Sequence, residues 1–167
     1  MREGVTMKPY QLDIFYDHRA VTESRDVIQE ALSLLTNTIK RKSFSLTSCQ
    51  AVKNYCRLNL ATREHEIFGA LFLDSQHRLI EFRELFRGTI DGCSVYVREV
   101  AKEALSLNAA AIIFTHNHPS GVCEPSQADI QITKRLQEAL TLFDVRVLDH
   151  FIVSAEEVVS FAERGLI

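Results

Sequence analysis

The sequence predicts an α/β (α+β) fold, a mixed β-sheet flanked by helices, on three observations. Segments with helical and with extended apolar spacing interleave along the chain. Two pairs of the extended segments follow one another with only a short polar turn between them. The 167 residues, 46% of them apolar, suffice to bury one proper core. Interleaving places helices over a sheet, and adjacent extended pairs place hairpins within it, so the sheet is expected to be mixed.

The first element is a helix over 21–40, where Val27, Ile28, Ala31, Leu34 and Leu35 recur at amphipathic spacing. With the polar start MREGVTMKPYQ, it forms an expected N-terminal helical extension over residues 1–40, and the domain proper spans 41–167. Thr47-Ser48-Cys49-Gln50 resembles a capping box opening a second helix that reaches Leu60. Glu66 to Asp74 and Leu79 to Phe86 read as strands joined by the turn Ser75-Gln76-His77-Arg78, and Gly88 and Gly92 break the chain after them. A helix over 97–107 follows, then a strand from the apolar run Ala109 to Phe114, then a helix over 126–143. Val145 to Val153 and Val158 to Phe161 complete the set as strands around the turn Ser154-Ala155-Glu156-Glu157.

Composition limits the function. No apolar run approaches the ~18 residues of a membrane helix, and the N-terminus lacks a signal-peptide core, which makes a cytoplasmic protein the expectation. Cysteines 49, 56, 93 and 123 show no C-x-x-C pairing and suit reduced thiols. A net charge of −3 with scattered basic residues lacks the footprint of a nucleic-acid binder, and Lys40-Arg41-Lys42 reads as a solvated helix end.

The chemistry concentrates in His116-Asn117-His118 and, after ten intervening residues, Asp129. Histidines at i and i+2 on a strand point the same way, so one face presents two imidazoles. The intervening Pro119-Ser120-Gly121-Val122-Cys123-Glu124-Pro125 turns the chain back and returns a carboxylate on the first turn of the next helix. Two histidines and one acid, with a coordination position left open, are the ligand set of a hydrolytic metal site. Each residue alone has a plainer reading: Ser126-Gln127-Ala128-Asp129 fits a helix cap, and a buried histidine is commonly a hydrogen-bonded core residue. The combination carries the metal reading, since Ser126 can cap while Asp129 coordinates.

The run HNHPSGVCEPSQAD resembles the H-x-H-P…P-S-x-x-D signature of the JAMM (MPN-type) metalloprotease superfamily, in its bacterial RadC-like branch. FLDSQHRLI (72–80), ELFRGTIDG (84–92), VYVREVAKEAL (95–105) and LDHFIV (148–153) agree with that branch, and the resemblance covers about residues 44–167. It implies a JAMM/cytidine-deaminase-like layered fold and a zinc-dependent hydrolase of peptide or isopeptide amides, with one zinc per chain held by His116, His118 and Asp129. The substrate would be an unidentified peptide or protein. The helix-hairpin-helix module of longer RadC-like proteins has no obvious counterpart in residues 1–40.

Such a site needs a proton acceptor beside the metal-activated water. Glu66 is the candidate, because Glu66-Ile67-Phe68-Gly69-Ala70-Leu71 is similar to the superfamily's E-x-x-G-x-L segment; Leu73 departs from it, standing where many relatives have a second glycine. Glu64, two residues earlier, is the alternative base, and Glu99 and Glu84 read as framework charges. Ser126 matches the serine that the resemblance assigns to polarising the substrate carbonyl. Ser120 reads as a loop former, Cys123 as a small loop or core residue, and His150 either as a neighbour of the ligands or a wall of the pocket or, with equal fit, as a purely structural residue. Two other functions fit less of the sequence: a binding or assembly module on the same fold, and a two-histidine, one-carboxylate iron oxygenase.

Overall fold

A computed structural model of the chain describes residues 26–35, 48–88 and 94–167. Lys40-Arg41-Lys42, Thr47, Gly92 and Cys93 lie outside these, as do residues 1–25 and the ends of the first expected helix. Residues 26–35 are helical (α1). There follow α2 (Cys49–Leu60), the strands β1 (Ile67–Leu73) and β2 (Leu79–Arg87), α3 (Val97–Ser106), β3 (Ala111–Asn117), α4 (Gln127–Thr141), β4 (Arg146–Val153) and β5 (Val158–Ser160).

The strands form one mixed sheet in the order β2-β1-β3-β4-β5. β1 is antiparallel to β2 and β3, β3 and β4 run parallel, and β5 closes antiparallel on β4. Strand chemistry explains the order. IFGALFL and AIIFTHN are buried along their whole length and take central positions, whereas β2, with charges at Glu81, Arg83, Glu84 and Arg87, lies at an edge. Gly69 in β1 makes room for the Phe82 ring, since a Cβ there would stand 2.9 Å from it and force the ring to shift.

Side-chain alternation gives each sheet face its own core. Ile67, Leu71, Leu73, Ala111, Ile113, Phe151 and Val153 face α2, with Leu32 of α1 packed at the margin. Phe68, Ala70, Phe72, Ile112 and Phe114 face α3 and α4, meeting Val100, Ala104, Leu136 and Leu140. Truncating a fully buried leucine, Leu71 in the first layer or Leu136 in the second, costs about 2–5 kcal/mol, so both layers contribute to stability.

Several expected boundaries move. β1 begins at Ile67, one residue after Glu66, and β5 ends at Ser160, where the chain enters a turn. The N-cap of α2 is Ser48, which makes no side-chain cap bond; this shifts the expected box by one residue, and Gln50 donates to Asn54 instead. Three non-glycine residues with positive φ, His77, Asn108 and Asp144, close the β1–β2, α3–β3 and α4–β4 turns. The register, which pairs Leu73 with Ala111 and Ala111 with Arg146, puts all three at the end of the sheet opposite His116.

Candidate metal centre

β3 ends in Thr115-His116-Asn117, and its pairing persists one residue further as the His118 N–H donates to the Val153 carbonyl at 2.9 Å. His116 and His118 therefore leave the backbone on one side, toward α4. The loop turns at Gly121, whose φ of 87° favours glycine, and there the His118 Nδ1–H donates to the Val122 carbonyl at 2.6 Å. α4 opens with a full capping box: the Asp129 N–H donates to Ser126 Oγ, and Asp129 Oδ2 accepts from the Ser126 N–H at 2.8 Å and hydroxyl at 2.5 Å. One ligand atom from each of His116, His118 and Asp129 falls within 4.8 Å of the others.

Hydrogen positions follow from the ends of the network. A carbonyl only accepts, so the Nδ1 of neutral His118 carries the hydrogen and its Nε2 presents a lone pair. On the other side, the Thr133 hydroxyl donates to the Asp129 carbonyl at 2.6 Å, a helical back-bond, and accepts from the His150 Nδ1–H at 2.6 Å. The Nε2 of His150 then accepts from the His116 Nδ1–H at 2.8 Å, which leaves a lone pair on His116 Nε2. Burial keeps both rings neutral, pushing His116 down to about 4 and His150 well below its ordinary value. His150 is enclosed by Phe68, Phe114 and Phe161.

Two imidazole nitrogens and the two oxygens of one carboxylate thus converge with no hydrogen between them. His116 Nε2 lies 2.9 Å from His118 Nε2 and 3.3 Å from Asp129 Oδ1, and His118 Nε2 lies 3.8 Å from Asp129 Oδ2. A tetrahedral ion with ligands at about 2.0–2.2 Å separates them by roughly 3.3–3.6 Å, and the observed spacings bracket that range. The donor set fits a divalent cation, and without one the lone pairs would repel.

Glu66 precedes β1 on the side of Phe68, which pairs with His116. It lines, together with Asp129, a pocket of about 270 Å³. Partial burial and the Asp129 charge raise its pKa, while His118 opposes them. Glu64 opens instead onto a separate pocket with His65, Glu84 and Arg87. Asn117 fixes the approach to Glu66 from the opposite face of β3: its Oδ1 accepts from the Ile67 N–H at 2.8 Å, and its Nδ2 donates to the carbonyls of His65 and Arg63 at 3.0 and 3.3 Å.

The RadC-like JAB domain family model matches residues 46–166. The chain belongs to the RadC-like JAB domain family. It is 55% identical over 150 residues to a UPF0758 protein of Vibrio cholerae serotype O1, covering 90% of this chain and 89% of that one. Against UPF0758 proteins of Methylibium petroleiphilum and Stutzerimonas stutzeri it is 64% and 60% identical over 72% and 75% of its own length. The chain spans about half the length of these two, at 54% and 56%.

Within this RadC-like domain the remaining candidates fall into place. Cys123 is buried with Ile152, Val159 and Phe161, its thiol donating to the Glu157 carbonyl at 3.2 Å, and burial raises its pKa. Ser120 lies exposed in the loop, and Glu84 and Glu99 are held by Arg63 and Lys102. Sequence reasoning passed over Thr133 and Asn117. Thr133 stands four residues after Asp129 on the inward face of α4, and Asn117 is the middle residue of H-x-H, pointing to the other sheet face; those placements were the available signals. No helix among the described residues is long and apolar enough to cross a membrane.

Proposed function

We propose that this RadC-like chain is a zinc-dependent metallohydrolase that cleaves a peptide or isopeptide amide. The observation supporting it most directly is the convergence of two imidazole lone pairs and the two oxygens of one carboxylate at 2.9–3.8 Å with no hydrogen among them. His116, His118 and Asp129 would hold the ion. When bound, it supplies Lewis acidity and lowers the pKa of a water to about 7.

The remaining roles belong to the chain's own side chains. Glu66 would accept a proton from the attacking water and return it to the leaving nitrogen, a role supported by its sharing a pocket with Asp129. Ser126 is the candidate for polarising the scissile carbonyl. Its hydroxyl donates to Asp129 Oδ2 in the capping box, so this role requires it to turn toward substrate. His150 and Thr133 keep the lone pair of His116 aimed into the site.

Elemental analysis of protein purified without chelator tests the reading. About one zinc per chain in the wild type, lost in both His118→Ala and Asp129→Ala, is the expected result. Hydrolysis of peptide or isopeptide substrates should then fail in Glu66→Gln, with its metal retained. A wild type that cannot be loaded even with added zinc overturns the proposal and leaves a binding or assembly module.

A further inference from the structure

The pocket that Glu66 shares with Asp129 carries information about the substrate. At about 270 Å³ it falls below the ~300–1,000 Å³ of sites that enclose a whole small ligand, so it suits one side chain beside the reacting bond. Phe68, Val95 and Ile132 make its walls apolar, fit for methylene groups. Both of its carboxylates belong to the reaction centre. Its one cation is Arg135, six residues along α4 from Asp129 and about 9 Å along the helix axis.

Arg63, Arg78, Arg83 and Arg164 are each held by a carboxylate. Arg135 has no salt bridge among the described residues. Arg57, Arg87, Arg98 and Arg146 also lack one, but none of them lines this pocket. A dication would neutralise Asp129 and Glu66, leaving the guanidinium as the uncompensated charge of the cleft. Arg135 would then draw a substrate anion to the far end of the pocket, away from the reaction centre.

Resting on the hydrolase reading above, we propose that this pocket is the subsite for a carboxylate-bearing residue flanking the scissile amide, with its apolar stem on Phe68 and Ile132 and its carboxylate on Arg135. The carboxylate is either an acidic side chain or the substrate's own C-terminus.

Calorimetric titration of the zinc-loaded full chain with short peptide hydroxamates separates these cases. The residue next to the hydroxamate is Glu, Gln, Leu or Lys, and each peptide is made with a free and an amidated C-terminus. We expect the Glu or free-acid probe to bind the wild type about tenfold more tightly than its neutral counterpart, the scale of a charge-assisted hydrogen bond. That ratio should collapse to near one in Arg135→Gln and tip toward Lys in Arg135→Glu. Dependence on Glu assigns the side chain, and dependence on the free acid assigns the C-terminus. Equal affinity for charged and neutral probes in the wild type, or a preference that survives in Arg135→Gln, overturns the subsite while leaving the hydrolase intact. If no hydroxamate binds, the neutral Leu probe included, the hydrolase reading falls and the subsite with it.

Discussion

Asn117 Oδ1 accepts the Ile67 N–H at 2.8 Å, which ties the residue between the two histidines to the residue after Glu66. One buried amide therefore sets the spacing between the lone pairs on one side of β3 and the carboxylate that immediately precedes the neighbouring strand. Asn117→Ala would leave the Ile67 N–H and the His65 carbonyl without this partner, at about 1–3 kcal/mol for each group left buried and unpaired. Zinc content should survive while hydrolysis falls. Chemical denaturation, metal analysis and turnover on one sample check this, and turnover equal to wild type would deny Asn117 a positioning role.

His150→Ala removes the acceptor of the His116 Nδ1–H and frees that ring to change tautomer. Zinc affinity is expected to drop about 10- to 100-fold, as is typical when a ligand's hydrogen-bond partner is lost. Competition against a chromophoric chelator measures it. An unchanged Kd would show that Phe68 stacking alone orients His116.

In the metal-free protein, stability should fall on acidification below about 6.5. His116 and His150 have folded pKa values below their unfolded ones, so the unfolded chain binds more protons in that range. Their contribution is complete above the unfolded pKa and is lost as pH falls toward about 4 for His116. Each contributes a slope of up to about 1.4 kcal/mol per pH unit. Thermal melts in chelator from pH 7 to 5 should show the loss, with a shallower slope in His150→Gln.

Ser126→Ala separates two roles of one hydroxyl. Loss of the cap costs about 1 kcal/mol, or roughly 2–4 °C in Tm for a chain of this size. A part in polarising the carbonyl would lower kcat by a further ~10²–10³-fold. A shift in Tm with kcat intact leaves only the cap.

The fold was readable because the dominant signals are local. Continuous apolar runs marked β1 and β3 as central, and the short polar turns at 75–78 and 154–157 marked both hairpins. The meeting of His116, His118 and Asp129 was readable for the same reason: a two-residue strand period and a loop into a helix start are short-range geometry. What depends on strand register was not. His150 meets His116 only because β3 and β4 run parallel with Phe114 opposite His150, and Asn117 meets Ile67 only through the β1–β3 pairing. Such contacts join residues 34 and 50 positions apart. The α2 cap was misplaced by one residue because Thr and Ser adjoin there and both can cap.

The three positive-φ residues His77, Asn108 and Asp144 give this molecule a pole built from tight turns, remote from the one that holds the histidines. Engineering can exploit that separation. Asn108→Gly and Asp144→Gly relieve left-handed strain where no ligand or substrate contact is at stake, and a fluorophore or surface tether at exposed Gln76 would sit a full strand length from the chemistry. An immobilised form held by that pole would present its cleft outward, ready for screening against peptide libraries.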